Sequence, residues 1–155
     1  MRLHHPMKTP MSLTLRATII EHVADADPSV RWEGPWLEVV SSLQHRQGKL
    51  LDQCHPDFQM MCDAIMSDIQ SAKGSGATAL EEIRRVESGE VDLIEADGNA
   101  WVMYITREKV WFEGLYSQGE GGAVSFAQYK LAVETYVRFL ADPQRKPIEV
   151  AWPSA

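Results

Sequence analysis

The stretch Gly89–Tyr116, GEVDLIEADGNAWVMYITREKVWFEGLY, decides the fold. Within it, Ala96-Asp97-Gly98-Asn99 separates two alternating runs, and Asp-Gly tolerates the positive φ angles of a tight hairpin turn. A two-residue turn sets Glu95 opposite Ala100, Ile94 opposite Trp101 and Leu93 opposite Val102. A second turn near Arg107-Glu108 adds a strand from Lys109 to Tyr116, completing a three-stranded meander. Alternation places Ile94, Trp101, Met103, Ile105, Val110 and Phe112 on one face, which is assigned to the core. The other face carries Val91, Leu93, Glu95, Val102, Tyr104, Trp111, Glu113 and Leu115, mixing carboxylates with aromatic rings.

Working outward, Met11–Glu21 alternates as a strand, with Leu13, Leu15, Ala17 and Ile19 on one face. The turn-rich ADADPSVRWEGP follows. Trp36, Val39, Val40 and Leu43 then recur at helical spacing, with Pro35 at the first position and Gly48 as the stop, so a short helix is expected there. A stronger helical stripe runs from Pro56 through Phe58, Met61, Cys62, Ile65, Ile69 and Ala72. Lys73-Gly74-Ser75-Gly76 reads as a flexible connection, and Thr78-Ala79-Leu80-Glu81 has the form of a capping box opening a helix to about Glu87. Ser117–Gly122, with three glycines, reads as a mobile surface loop. Ser125-Phe126-Ala127-Gln128 again has capping-box form, and Phe126, Tyr129, Val133, Tyr136, Val137 and Leu140 make the last helical stripe. Ile148–Trp152 closes as a short strand. The expected architecture is a single α+β domain over residues 12–155, with a mainly antiparallel sheet and helices packed on its central meander, after a flexible tail over residues 1–11.

The chain has 155 residues, 45% hydrophobic and 24% charged, which is ordinary for one soluble globular domain. No apolar run approaches a membrane span, and no secretory signal opens the chain, so the expected location is cytoplasmic. Cys54 and Cys62 have no zinc-ligand spacing, and Cys62 falls on an apolar stripe, so no metal is expected. Histidines 22, 45 and 55 sit at separate edges, and neither a Gly-x-Ser-x-Gly elbow nor a nucleotide-binding glycine pattern is present. No catalytic residue and no cofactor is assigned.

The net charge is −7, and Thr78–Gly98 alone holds seven carboxylates against Arg84 and Arg85. Such a field disfavours nucleic acid as a direct ligand, because phosphate affinity comes from Lys and Arg, and favours a basic partner. Tyr104 and Trp111, opposite each other in the meander, supply anchors that surrounding carboxylates can supplement by steering. Candidate partner-binding residues are Glu90, Asp92, Glu95, Asp97, Tyr104, Trp111, Glu113 and Glu120.

The segments SGEVDLIEADGNAWVMYITREKVWFEG (88–114), SFAQYKLAVETYVRFLADP (125–143) and IEVAWP (148–153) resemble small immunity proteins of bacterial polymorphic toxin systems, especially those of contact-dependent growth inhibition. The likeness covers the C-terminal half and rests on the Gly-Asn hairpin, the aromatic strand and the Phe126-to-Leu140 helix pattern. It implies a cytoplasmic antitoxin that occludes a cognate toxin domain, often a nuclease; separately, a monomer is the favoured state. It transfers no functional residue by motif. Two other functions remain open: a small acidic secretion chaperone, and a small enzyme or ligand-binding domain with Gly119–Gly122 as a lid.

Overall fold

A computed structural model describes residues 12–41, 55–99, 101–115 and 120–155. Their elements run β1 (Leu13–Val23), β2 (Arg31–Ser41), α1 (Pro56–Asp68), α2 (Ser75–Glu87), β3 (Ile94–Asp97), β4 (Trp101–Ile105), β5 (Lys109–Gly114), β6 (Glu120–Ser125), α3 (Phe126–Ala141) and β7 (Ile148–Ala151). The class is α+β, with two antiparallel sheets ordered β2-β1-β7 and β3-β4-β5-β6. The expected tail, residues 1–11, lies outside the described residues.

The helix expected from Trp36 is instead a strand as far as Ser41, and its expected continuation to Gly48 lies outside the described residues. β1 and β2 form a long hairpin from Leu13↔Ser41 to Val23↔Arg31. Asp27 makes its turn: the carboxylate accepts from the Ser29 amide at 3.0 Å and the Ser29 hydroxyl at 2.7 Å. Leu37 and Val39 are buried along with Leu15 and Ala17 on β1, a period of two that outweighs the coincident helical spacing. Pro35 is tolerated because β2 is an edge strand, where a missing amide need not break the ladder.

α2 starts three residues before the expected capping box. Gly74 is its N-cap, and the Thr78 hydroxyl donates back to Gly74 O at 3.3 Å, as it does inside a helix. The expected capping box of α3 is present in both directions, Gln128 N to Ser125 Oγ at 3.0 Å and Ser125 N to Gln128 Oε1 at 2.9 Å.

The meander register differs from the expected one. Ile94 pairs with Ile105 and Asp97 with Val102, four positions further along β4 than a two-residue turn allows. Four is an even shift, so every side chain keeps its assigned face. Gly98 does not have positive φ. A Cβ there would overlap the Asp68 carboxylate, so a side chain at this position would displace it. The Ser117–Gly122 loop is likewise replaced in part: Glu120, Gly121 and Gly122 belong to β6, which pairs with β5 across a bulge between Trp111 and Glu113. Gly122 has φ +88°, and a Cβ on it would overlap the Asp57 carboxylate.

One apolar cluster joins both sheets, with Leu15 and Leu37 from the first, Ile105, Val110 and Phe112 from the second, and Met61, Ile65, Tyr129, Val133 and Phe139 from helices between them. Phe112 is 1% exposed, whereas Trp101 is only half-buried on that cluster. Phe112→Ala should therefore cost ~3–5 kcal/mol in urea unfolding and Trp101→Ala clearly less. Equal losses would contradict the placement of Trp101 at the edge of the core.

Candidate aromatic and acidic binding face

The helices pack on one side of the four-stranded sheet, through contacts of α1 with β6 and of α3 with β5 and β6. Strand alternation then turns Glu95 and Asp97 on β3, Val102 and Tyr104 on β4, and Lys109, Trp111 and Glu113 on β5 to the opposite side. Tyr104 pairs with Trp111, as expected, and their rings stack with centroids 5.1 Å apart at 12°. The Tyr104 hydroxyl donates to Glu113 Oε2 at 3.1 Å. Desolvation by its surroundings, the bond to Glu113 and the charges of Glu113, Glu95 and Asp97 push the phenol's pKa up. Three carboxylates thus act on one aromatic stack. Lys109 is the counterweight, its Nζ lying 5.0 Å from the Trp111 ring centroid.

Of the eight residues selected from the sequence, Glu95, Asp97, Tyr104, Trp111 and Glu113 come together on this face. Glu120 takes the register position opposite Glu113. Glu90 and Asp92 stand apart, in the connection between α2 and β3. Glu90 is engaged there with Arg85 at 2.6 Å and Arg84 at 3.8 Å. Glu81 pairs with Arg84 at 2.6 Å and Glu87 with Lys130 at 2.5 Å, so about half of the acidic run is balanced locally. Leu93 and Leu115, 49% and 41% exposed, flank β3 and β5 and add apolar area.

A second concave region went unrecognised in the sequence. His22, Trp32 and Trp36 on the β1–β2 hairpin, with Asp63, Tyr136 and Arg145, line a cleft of about 590 Å³. His22 stacks on Trp32 at 5.5 Å and meets Trp36 edge-on at 6.0 Å. Only the hairpin register, with His22 opposite Trp32, brings these rings together. Cys62 is buried in the core as its stripe implied, while Cys54 and His45 lie outside the described residues. Among the described residues no cluster of His, Cys, Asp or Glu could hold a metal ion, and no helix is long and apolar enough to cross a membrane.

No protein-family model matches the chain, and no curated protein or solved structure matches it.

Burial raises the pKa of Asp63 above its ordinary 3.8. An acid whose folded pKa is raised favours the folded state when protonated, and that contribution is lost as pH rises through the folded value. Asp63→Asn should therefore raise the Tm at pH 7 relative to the parent, with the gain disappearing near and below pH 3.8. A gain that persists in acid would point to packing instead of ionisation.

Proposed function

We propose that this protein is an antitoxin of the immunity type, which binds a basic toxin domain through the outer face of its four-stranded sheet and occludes that domain's working surface. The observation that carries the proposal is the stacked Tyr104–Trp111 pair ringed by Glu95, Asp97 and Glu113, on the side of the sheet opposite the helices. Rigid aromatic anchors supply contact area at low entropy cost, and carboxylates around them pair with Lys and Arg and speed encounter. The resemblance of the C-terminal half to immunity proteins points the same way. In this proposal the protein works in the cytoplasm, acts stoichiometrically without catalysis, and meets a nuclease or similarly basic enzyme on a surface that offers carboxylates in place of phosphates.

A second proposal, a small ligand-binding domain, draws on the cleft between the β1–β2 hairpin and the helices, whose volume of about 590 Å³ lies in the range of small-molecule sites. Gly121 and Gly122 are held in β6 and do not form the lid expected for that alternative.

Affinity capture from bacterial lysate with the whole protein as bait separates the two. A single basic protein retained at low salt and released at high salt is the expected result. Trp111→Ala should then weaken binding by ~2 kcal/mol or more, and Glu95→Lys or Glu113→Lys at least about tenfold, with the Tm unchanged in Glu95→Lys. Unaltered affinity in all three variants would exclude this face.

A further inference from the structure

Beneath the β3–β4 turn, α1, α2 and the hairpin border a partly open cavity of about 250 Å³. Asp68 from the end of α1 and Glu82 from α2 line it, Asp97 borders it from β3, and Tyr129 of α3 reaches it from the core. The two carboxylates form no ion pair among the described residues, since the arginines of α2 are engaged by Glu81 and Glu90. One Asp68 oxygen accepts from the Asn99 amide at 2.9 Å, which leaves the other for a ligand. Tyr129 is 1% exposed, yet its hydroxyl has no hydrogen-bond partner among the described residues. Burial raises the pKa of Asp68 and of Glu82. It also raises that of the Tyr129 phenol, on which both carboxylates act as further causes. The three groups therefore face one shared space.

A partly desolvated carboxylate pair without an ion pair, beside a phenol hydroxyl that no described residue bonds, gains when a ligand satisfies it. Two carboxylate oxygens and one phenol oxygen make three acceptors around one negative region. A primary ammonium offers three donors and one positive charge, whereas a guanidinium offers five in a flat fork. Ala64, Ile65, Ala79 and Met103 supply an apolar wall for a methylene stem. The volume is below the ~300 Å³ typical of the smallest drug-sized sites, which limits the ligand to a short chain.

We propose that this cavity binds a primary alkylammonium group, with Asp68, Glu82 and the Tyr129 hydroxyl as its three acceptors. This inference does not depend on the antitoxin proposal, whose anchors Tyr104 and Trp111 do not line the cavity.

The test is an NMR titration of the ¹⁵N-labelled full chain with n-butylammonium and, separately, with N-acetyl-lysine methylamide, using n-butanol as the neutral control. Saturable shifts centred on Asn99, absent with butanol, are expected. Tighter binding of the lysine derivative would assign the ammonium to a protein side chain, and tighter binding of the alkylamine to a free small molecule. Glu82→Gln should weaken either ligand ~10–100-fold, the loss of one charge-assisted hydrogen bond. Tyr129→Phe should also weaken binding while leaving the Tm of the free protein unchanged or higher, because its hydroxyl has no partner to lose. The proposal is overturned if neither amine saturates where a Kd of ~1 mM would be filled, if Glu82→Gln binds as the parent does, or if Mg²⁺ or Ca²⁺ alone gives the same shifts.

Discussion

Helix α1 is fastened to the four-stranded sheet at both ends by a carboxylate set against a glycine. At its start Asp57 accepts from the Ala123 amide at 3.2 Å, beside Gly122 in β6. At its end Asp68 accepts from the Asn99 amide at 2.9 Å, beside Gly98, and Asn99 Nδ2 donates to Ser67 O at 2.8 Å. Residues 57 and 68 lie ~16 Å apart along a helix rising 1.5 Å per residue, close to the ~14 Å that separates the outer strands of four at 4.8 Å spacing. The helix therefore crosses the sheet from the β3–β4 turn to β6. Charge-assisted bonds to backbone amides are stronger than neutral ones, and a side chain at either glycine would displace the carboxylate that makes them. With both ends fixed, Met103, Ile105 and Phe112 face the helices, and Tyr104 and Trp111 face away.

That constraint explains what could be seen in the sequence. The two faces of the meander were legible because alternation over β4 and β5 is strong, and the error in register, being even, left each face intact. The pairing of Tyr104 with Trp111 was legible for the same reason. The β3–β4 turn conformation was not, because Asp-Gly suggests a local positive-φ turn, whereas Gly98 here answers to Asp68, thirty residues earlier in the chain. β6 was hidden by its glycines: Gly121 and Gly122 look like loop residues but are needed where Trp101, Phe112 and Asp57 crowd the strand. β2 was mistaken for a helix because Trp36, Val39 and Val40 fall at helical spacing while Leu37 and Val39 carry the period of two, and only pairing with β1 decides between them. The aromatic cleft depended on that pairing and was lost with it.

The distribution of carboxylates separates three roles that net charge alone does not distinguish. Glu81, Glu87 and Glu90 are held by Arg84, Lys130 and Arg85 at the surface, pairs that contribute little to stability. Asp68 and Glu82 turn inward around Tyr129. Glu95, Asp97 and Glu113 surround the aromatic stack and are the ones available to a basic surface. The stack's phenol is tied to Glu113, which fixes the ring over Trp111 and leaves a preformed contact site, with less side-chain entropy to lose on binding.

The most direct measurement is a chemical-shift map of the ¹⁵N-labelled protein with its captured partner added to saturation. An interface on the outer sheet face requires the largest changes at the amides of Glu95, Tyr104, Trp111 and Glu113 and at the Trp111 indole, with the Trp32 indole unmoved. Changes centred on Trp32 and His22, with Trp111 silent, would contradict it and place recognition in the cleft between the β1–β2 hairpin and the helices.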